Sequence, residues 1–156
     1  MRRIFSVLSV VFMFSLLFYA AADAVSSVKN VTVADVRGKA EVIGQGSGSA
    51  APVIFGMKVG SGDTIKTQKD SYVDLSFDAA GQDAMVRVEA NSNMKIADYI
   101  ASNKLENKKI ALELAMGDVL IKANQLKNES QFQVRTPTSV VGVRGTGFKV
   151  SVSAEK

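Results

Sequence analysis

After its first two dozen residues the chain alternates apolar and polar positions almost without a break, the period-2 signature of strands that bury one face. In residues 31–43, "VTVADVRGKAEVI", Val31 and Val33 keep one phase while Val36, Ala40 and Val42 take the other. The Gly/Ser-rich "GQGSGSAAP" that follows predicts a polar loop ending at Pro52. "VIFGMKVGSGDTIKT" carries a Gly-x-Gly-Asp turn at residues 60–63. In "SYVDLSFDAAGQDAMVRVEA" Val73, Leu75 and Phe77 alternate up to a polar turn, and Val86, Val88 and Ala90 return from it, which predicts a hairpin. Met94 and Ile96 stay in step after an Asn-Ser-Asn turn, and Ile110, Leu112 and Leu114 lead into a second Gly-Asp turn at Gly117 and Asp118.

One stretch, "IADYIASNKLENKKIALELAM", is rich in helix formers. Its apolar residues keep period 2 from Ile110 to Leu114, so strand is expected there, with an exposed connection over residues 101–109 and at most one helical turn near residues 98–106. The pattern predicts an all-β domain, a twisted, layered sandwich or solenoid of about nine to eleven short strands. There is also a weak internal echo. "VRGKAEV" at residues 36–42 resembles "VRGTGFKV" at residues 143–150, and the Gly-Asp pair occurs twice, as recurring corners in a layered β structure would.

The first two dozen residues depart from this pattern. Arg2 and Arg3 precede an apolar run from Ile4 to Tyr19, and Ala22 and Ala24 make an A-x-A site. The expectation is a signal helix over residues 1–24, cleaved after Ala24 or alternatively Ala22, and a single β domain over residues 25–156. The run is shorter than the roughly 20 residues of a spanning helix, and an uncleaved membrane anchor is the rival reading. Either way the domain is expected in the periplasm or outside a bacterial cell, where the absence of cysteine is no obstacle.

Composition narrows the chemistry. With neither Cys nor His, thiol nucleophiles, disulfides, imidazole bases and the usual zinc sites are excluded. The net charge of +4 falls to +3 once residues 1–24, with two Arg and one Asp, are removed, and it is spread too evenly for a nucleic-acid footprint. Asp63, Asp74, Asp78 and Asp118 are the acids available to a carboxylate mechanism. Two of them sit in Gly-Asp turns, where Asp caps its own backbone, and the others read as solvated strand residues. No Asp-x-Asp-x-Asp loop suggests calcium. No catalytic, metal or cofactor site is expected.

The segment 135–152, "RTPTSVVGVRGTGFKVSV", is the most distinctive. Phe132, Val134 and Thr136 share a face, opposite Gln131, Gln133 and Arg135. Pro137 cannot donate to a ladder, so a strand ends there or lies at an edge. Val141 and Val143 are in one parity and Phe148, Val150 and Val152 in the other, so the register must shift between them. Gly145 and Gly147 can take the backbone angles of such a corner. Arg144 then has two readings: its guanidinium satisfies carbonyls freed at the corner or pairs with Asp63 or Asp118, or else it projects, with Arg135 nearby in sequence, as an anchor for a partner.

These same residues resemble the closing signature of the FecR-like domain, with a Thr-Pro step, a small apolar run, then Val-Arg-Gly-Thr and a Phe followed by alternating valines. "VADVRGKAEVI", "VGSGDTIKTQKDSYVDLSF", "VRVEANSNMKI" and "LELAMGDVLIKA" follow the family's order, so the resemblance spans about residues 31–153. It implies an extracytoplasmic domain of twisted, layered strands. The best-known members are inner-membrane regulators whose cytoplasmic region controls a sigma factor while the periplasmic part senses an iron-siderophore transporter. The motif positions here are Thr136, Pro137, Val143, Arg144, Gly145, Thr146 and Phe148, and the family does not make them catalytic. Three residues precede the apolar run and "SAEK" follows the last valine-rich strand, so a stand-alone version of the domain is expected.

The functional expectation is an exported, non-enzymatic module that binds a protein or an extracellular polymer through exposed sheet edges, with no nucleic acid and no membrane contact beyond the N-terminal segment. The alternative is an anchored envelope-signalling component that works with a separately encoded sigma-factor regulator. Gly145→Val should lower the thermal midpoint if the corner is placed correctly, because a β-branched residue tolerates positive φ poorly. Arg144→Ala separates the two readings of the arginine: lost stability marks a structural role, and lost binding at full stability an interaction role.

Overall fold

The computed structural model describes residues 31–77, 84–100, 109–123, 131–143 and 146–153. Among these residues twelve strands form, against an expected nine to eleven: β1 (Val31–Arg37), β2 (Ala40–Ile43), β3 (Ala50–Pro52) and β4 (Lys58–Val59) come first. Next are β5 (Thr64–Thr67), β6 (Tyr72–Ser76), β7 (Ala84–Val88) and β8 (Asn93–Ile100). The last are β9 (Lys109–Ala123), β10 (Gln131–Arg135), β11 (Val140–Val143) and β12 (Thr146–Val152). No helix occurs among the described residues, and residues 98–100, where a helical turn was allowed, are strand. The signal helix, the polar turn of the 71–90 hairpin and residues 101–108 lie outside the described residues.

Two curled sheets share one strand. One runs β4-β1-β6-β7-β9-β12, the other β3-β2-β5-β8-β9-β10-β11. Neighbours are antiparallel except β9 and β10. The alternation read from sequence becomes the core directly. Val33, Val73, Leu75, Val86, Val88, Val119 and Ile121 of the first sheet face Ile65, Met94, Ile96, Leu112, Leu114, Phe132 and Val134 of the second, all buried in one apolar cluster. Phe77 joins the layers, meeting Phe132 and Tyr99 edge-on at ring separations of 6.4 and 5.4 Å. The polar loop after β2 is shorter than expected, because residues 50–52 pair with β2 as an edge strand.

The two Gly-Asp pairs are not equivalent. Gly62 and Asp63 make the expected turn, in which the Asp63 amide bonds the Gly60 carbonyl. Gly117 and Asp118 are no turn at all. They lie inside β9, whose first part pairs β8 and β10 in one sheet and whose second part pairs β7 and β12 in the other. Gly117, at φ +94°, takes the corner with a backbone angle that other residues avoid, and the chain goes on pairing on both sides of it.

The bend is sharp. Val143 lies three residues before Thr146, so the two Cα atoms are at most about 11 Å apart. Their counterparts on β9 are Ile110, reached through Phe132, and Ala123, which are thirteen residues apart and would stand about 43 Å apart on a straight strand. Strand β9 must therefore double back on itself, one half in each layer.

A duplicated hydrogen-bond device holds two of these corners. At the first, Gly38 (φ +76°) ends β1, and the next residue, Lys39, donates its amide to Ser71 Oγ at 2.8 Å and accepts the Gln68 amide at 3.0 Å. At the second, Gly117 is followed by Asp118, which donates to Ser92 Oγ at 2.9 Å and accepts the Glu89 amide at 3.0 Å. Each serine follows a residue with positive φ, Asp70 or Asn91. Thr67 then ties the halves together, donating its amide to the Ser92 carbonyl and accepting the Ser92 amide on Oγ1, both at 3.0 Å. The 36–42 and 143–150 echo likewise has a structural counterpart, since both spans leave one sheet and enter the other.

A Cβ on Gly117 would lie 2.5 Å from the Ser92 Cα, whereas one on Gly46, at a similar φ of +79°, would meet nothing. Gly46→Ala should cost about 1 kcal/mol from backbone strain alone. Gly117→Ala should cost at least about 2 kcal/mol more, because the clash is with backbone. Urea midpoints of the two variants measure the difference, and equal midpoints would mean that the corner yields freely.

Candidate functional site

The distinctive C-terminal segment builds one flank of the sandwich. β10 stops at Arg135, before Pro137, as a residue without an amide proton requires. Thr136 closes the turn that follows: its amide bonds the Ser139 carbonyl at 2.8 Å, and its Oγ1 accepts the Ser139 amide at 3.0 Å. The chain returns as β11 in one sheet and reappears as β12 in the other. Arg144 and Gly145 lie outside the described residues, and of Val143 and Thr146 only the backbone is described. Phe148 is half-buried against the core, and Arg135 is exposed, in register with Glu113 of β9. The structure therefore brings Thr136, Pro137 and Phe148 to the same flank, while Arg135 stands at the end of its strand.

Between these elements runs a groove of about 630 Å³. Its walls are the turn 136–139 with Val141 on one side and residues 148–153 on the other, and Ala115 of β9 also lines it. Four strands have a single partner among the described strands and so form the sheet edges. β3 has three residues and ends in a proline, β4 has two and β11 has four. β12 is different: seven residues in unbroken register with β9, without proline or bulge. Its one charge, on Lys149, is matched by Asp118 at 2.9 Å. The shortness, proline and bulges that blunt edge strands are missing here.

The carboxylates are engaged in structure. Asp63 is buried and accepts the Gln45 amide at 3.2 Å and the Gly60 amide at 3.0 Å. Asp74, expected to be solvated, is buried instead and grips Arg87 bidentately, with both contacts at 2.7 Å. The two stand directly opposite in the β6–β7 ladder, so the hairpin register makes the pair. The bond to Asp74 holds the Arg87 guanidinium still more firmly protonated. Arg87 also lies over the Tyr72 ring at 4.4 Å, and Tyr72 donates its hydroxyl to Asp35 at 2.8 Å, which raises the phenol pKa. Asp78 lies outside the described residues. No cluster of acids capable of holding a metal ion occurs among the described residues.

Sequence reasoning missed the Asp74–Arg87 clasp and the groove. The first had a signal, since opposite charges sit at matching distances from the hairpin turn. The groove had none, because its walls come from strands in different sheets.

Asp118, opposite Ser151 in the β9–β12 ladder, is held below its ordinary value of 3.8 by a hydrogen bond from Ser151 and by Lys149. A depressed carboxyl adds stability above 3.8 that is lost as the pH falls through the folded value. Asp118→Asn should therefore be less stable than the parent at neutral pH, and the gap should close below pH 3.8. Urea midpoints across that range read it, and a gap that persists in acid would assign the loss to something other than the charge.

A family model described as "FecR protein" matches residues 63–156, from the Asp63 turn through β12 to the C-terminus. No curated protein and no solved structure matches the chain. Strands β1 to β4 lie before the matched span yet complete its two sheets, β1 on β6 and β2 on β5. The match covers more than half of the chain and includes the terminal motif, and this protein belongs to the FecR family, a family associated with signalling at the cell envelope.

Proposed function

We propose that this protein is an exported, non-enzymatic binding module of the bacterial cell envelope, which engages a protein or an extracellular polymer through the flank between β11 and β12. The observation that carries this reading is the edge of β12, open among the described strands, beside a groove whose walls mix Pro137, Val141, Phe148 and Val150 with serine and threonine. An open ladder offers alternating donors and acceptors to an incoming chain, and the groove offers a place for its side chains. Export is supported by the basic start, the apolar run and the A-x-A site. A non-enzymatic role is supported by Asp63, Asp74 and Asp118, each already held by backbone amides or a cation.

Family membership favours one alternative, a signalling role in which the N-terminal segment stays uncleaved and the domain acts with a separate regulator. The two differ at the N-terminus and at the flank. Intact mass of the protein from an envelope fraction should show a start at Val25, while an uncleaved chain would favour the anchored form. A photo-crosslinking residue placed at Thr138, in the groove wall, should capture an envelope component reproducibly and saturably, and one at Lys66, on the exposed face of β5, should not. Equal labelling from both positions would sink the assignment of the flank.

A further inference from the structure

We infer that the open edge of β12 is closed by β12 of a second copy of this chain, antiparallel and centred on Val150. The inference rests on reading this flank as the interaction surface and names one occupant for it.

The argument begins with the edge itself. Seven residues with a single neighbour among the described strands leave a row of backbone donors and acceptors that recurs along the strand. A polypeptide in extended form matches that spacing; a sugar chain does not. Phe148, Val150 and Val152 lie on the inward face, buried or half-buried, and Lys149 and Ser151 are exposed on the other. An incoming strand must therefore be apolar at alternate positions on its inner face and must not set a cation against Lys149.

β12 itself meets both conditions. Pairing about Val150 sets Val150 against its own copy and Phe148 against Val152, so every inward pair is apolar on both sides. On the outer face it sets Lys149 against Ser151. Centring on Ser151 also meets both conditions but pairs only three residues of β12, and the registers nearer the start of the strand each fail one. Centring on Lys149 puts that cation against itself, which is unfavourable for directly opposed like charges. Centring on Phe148 sets Thr146 opposite Val150. A two-fold axis through Val150, perpendicular to the sheet, keeps the inner faces of both copies on the same side. The edge sheets then join as one, and the large side chain of Phe148 in each copy lies beside the smaller Val152 of the other.

The closing experiment uses the protein purified from the envelope as it is produced, in sedimentation runs over a range of concentrations. A reversible dimer is expected. The chain has no cysteine, so single cysteines report the axis directly. Val150→Cys should give a symmetric disulfide-linked dimer under mild oxidation, and Lys149→Cys, whose counterpart is Ser151, should not. Circular dichroism checks that each variant is folded. A monomer at every concentration, or a disulfide-linked dimer that forms from Lys149→Cys as readily as from Val150→Cys, overturns the proposal. If the protein is monomeric but the residue at Thr138 still captures a partner, the flank remains an interaction surface and only the second copy is ruled out. With neither dimer nor capture, both readings fall.

Discussion

Every crossing between the two layers must hydrogen-bond the amides and carbonyls that a strand exposes on leaving its sheet, and this requirement shapes the molecule more than any other. An orphaned buried amide costs about 1–3 kcal/mol. Two corners meet the requirement in the same way. A glycine turns the chain, the next residue gives its amide to a buried serine, and its carbonyl takes the amide three residues before that serine. Thr67 joins the two sets. The buried polar residues therefore gather at corners: Asp63, Thr67, Ser71 and Ser92 all bond backbone there. Among the described residues, only Asp74 and Ser76, on β6, are buried away from these crossings.

The corners make the two-layer core possible. Strand β9 lends its first half to one sheet and its second to the other, so each apolar face finds a partner a few residues from where it was made. Aromatic contacts of Phe77 with Phe132 and Tyr99 tie the two layers together. Curling closes one side of the sandwich through β7 and β8, which follow β9 along its whole length. On the other side β10 and β12 each cover part of β9, and the groove opens between them.

That asymmetry connects the fold to FecR membership. The matched span begins at Asp63 and ends beyond β12, so it contains the whole of the open flank, while β1 to β4 complete the opposite edges with strands that are short or end in proline. The Thr-Pro step shapes the groove's wall, and Phe148 with the valines after it shapes the facing one. Within the terminal motif, the residues described here close a turn or line that flank.

The amino-acid pattern by itself determined the strand content, the inward residues, the 71–90 hairpin and the family, because alternation and a dense local motif are properties of neighbours along the chain. The opposite parities of Val141 and Phe148 called for a shift between them, and β11 does end in one sheet and β12 begin in the other. What only the tertiary structure decided concerns residues distant in sequence. Gly117 looked like a hairpin turn because glycine followed by aspartate serves turns and corners alike; the strands pairing on either side of it settle which. Asp74 looked solvated because a polar residue in an alternating strand ordinarily faces water; it is buried beneath Arg87, which grips it from the opposite position of β7. The groove and the unguarded edge exist only after β9 has doubled back, for an edge is defined by which strand fails to arrive beside it, and no local pattern records that.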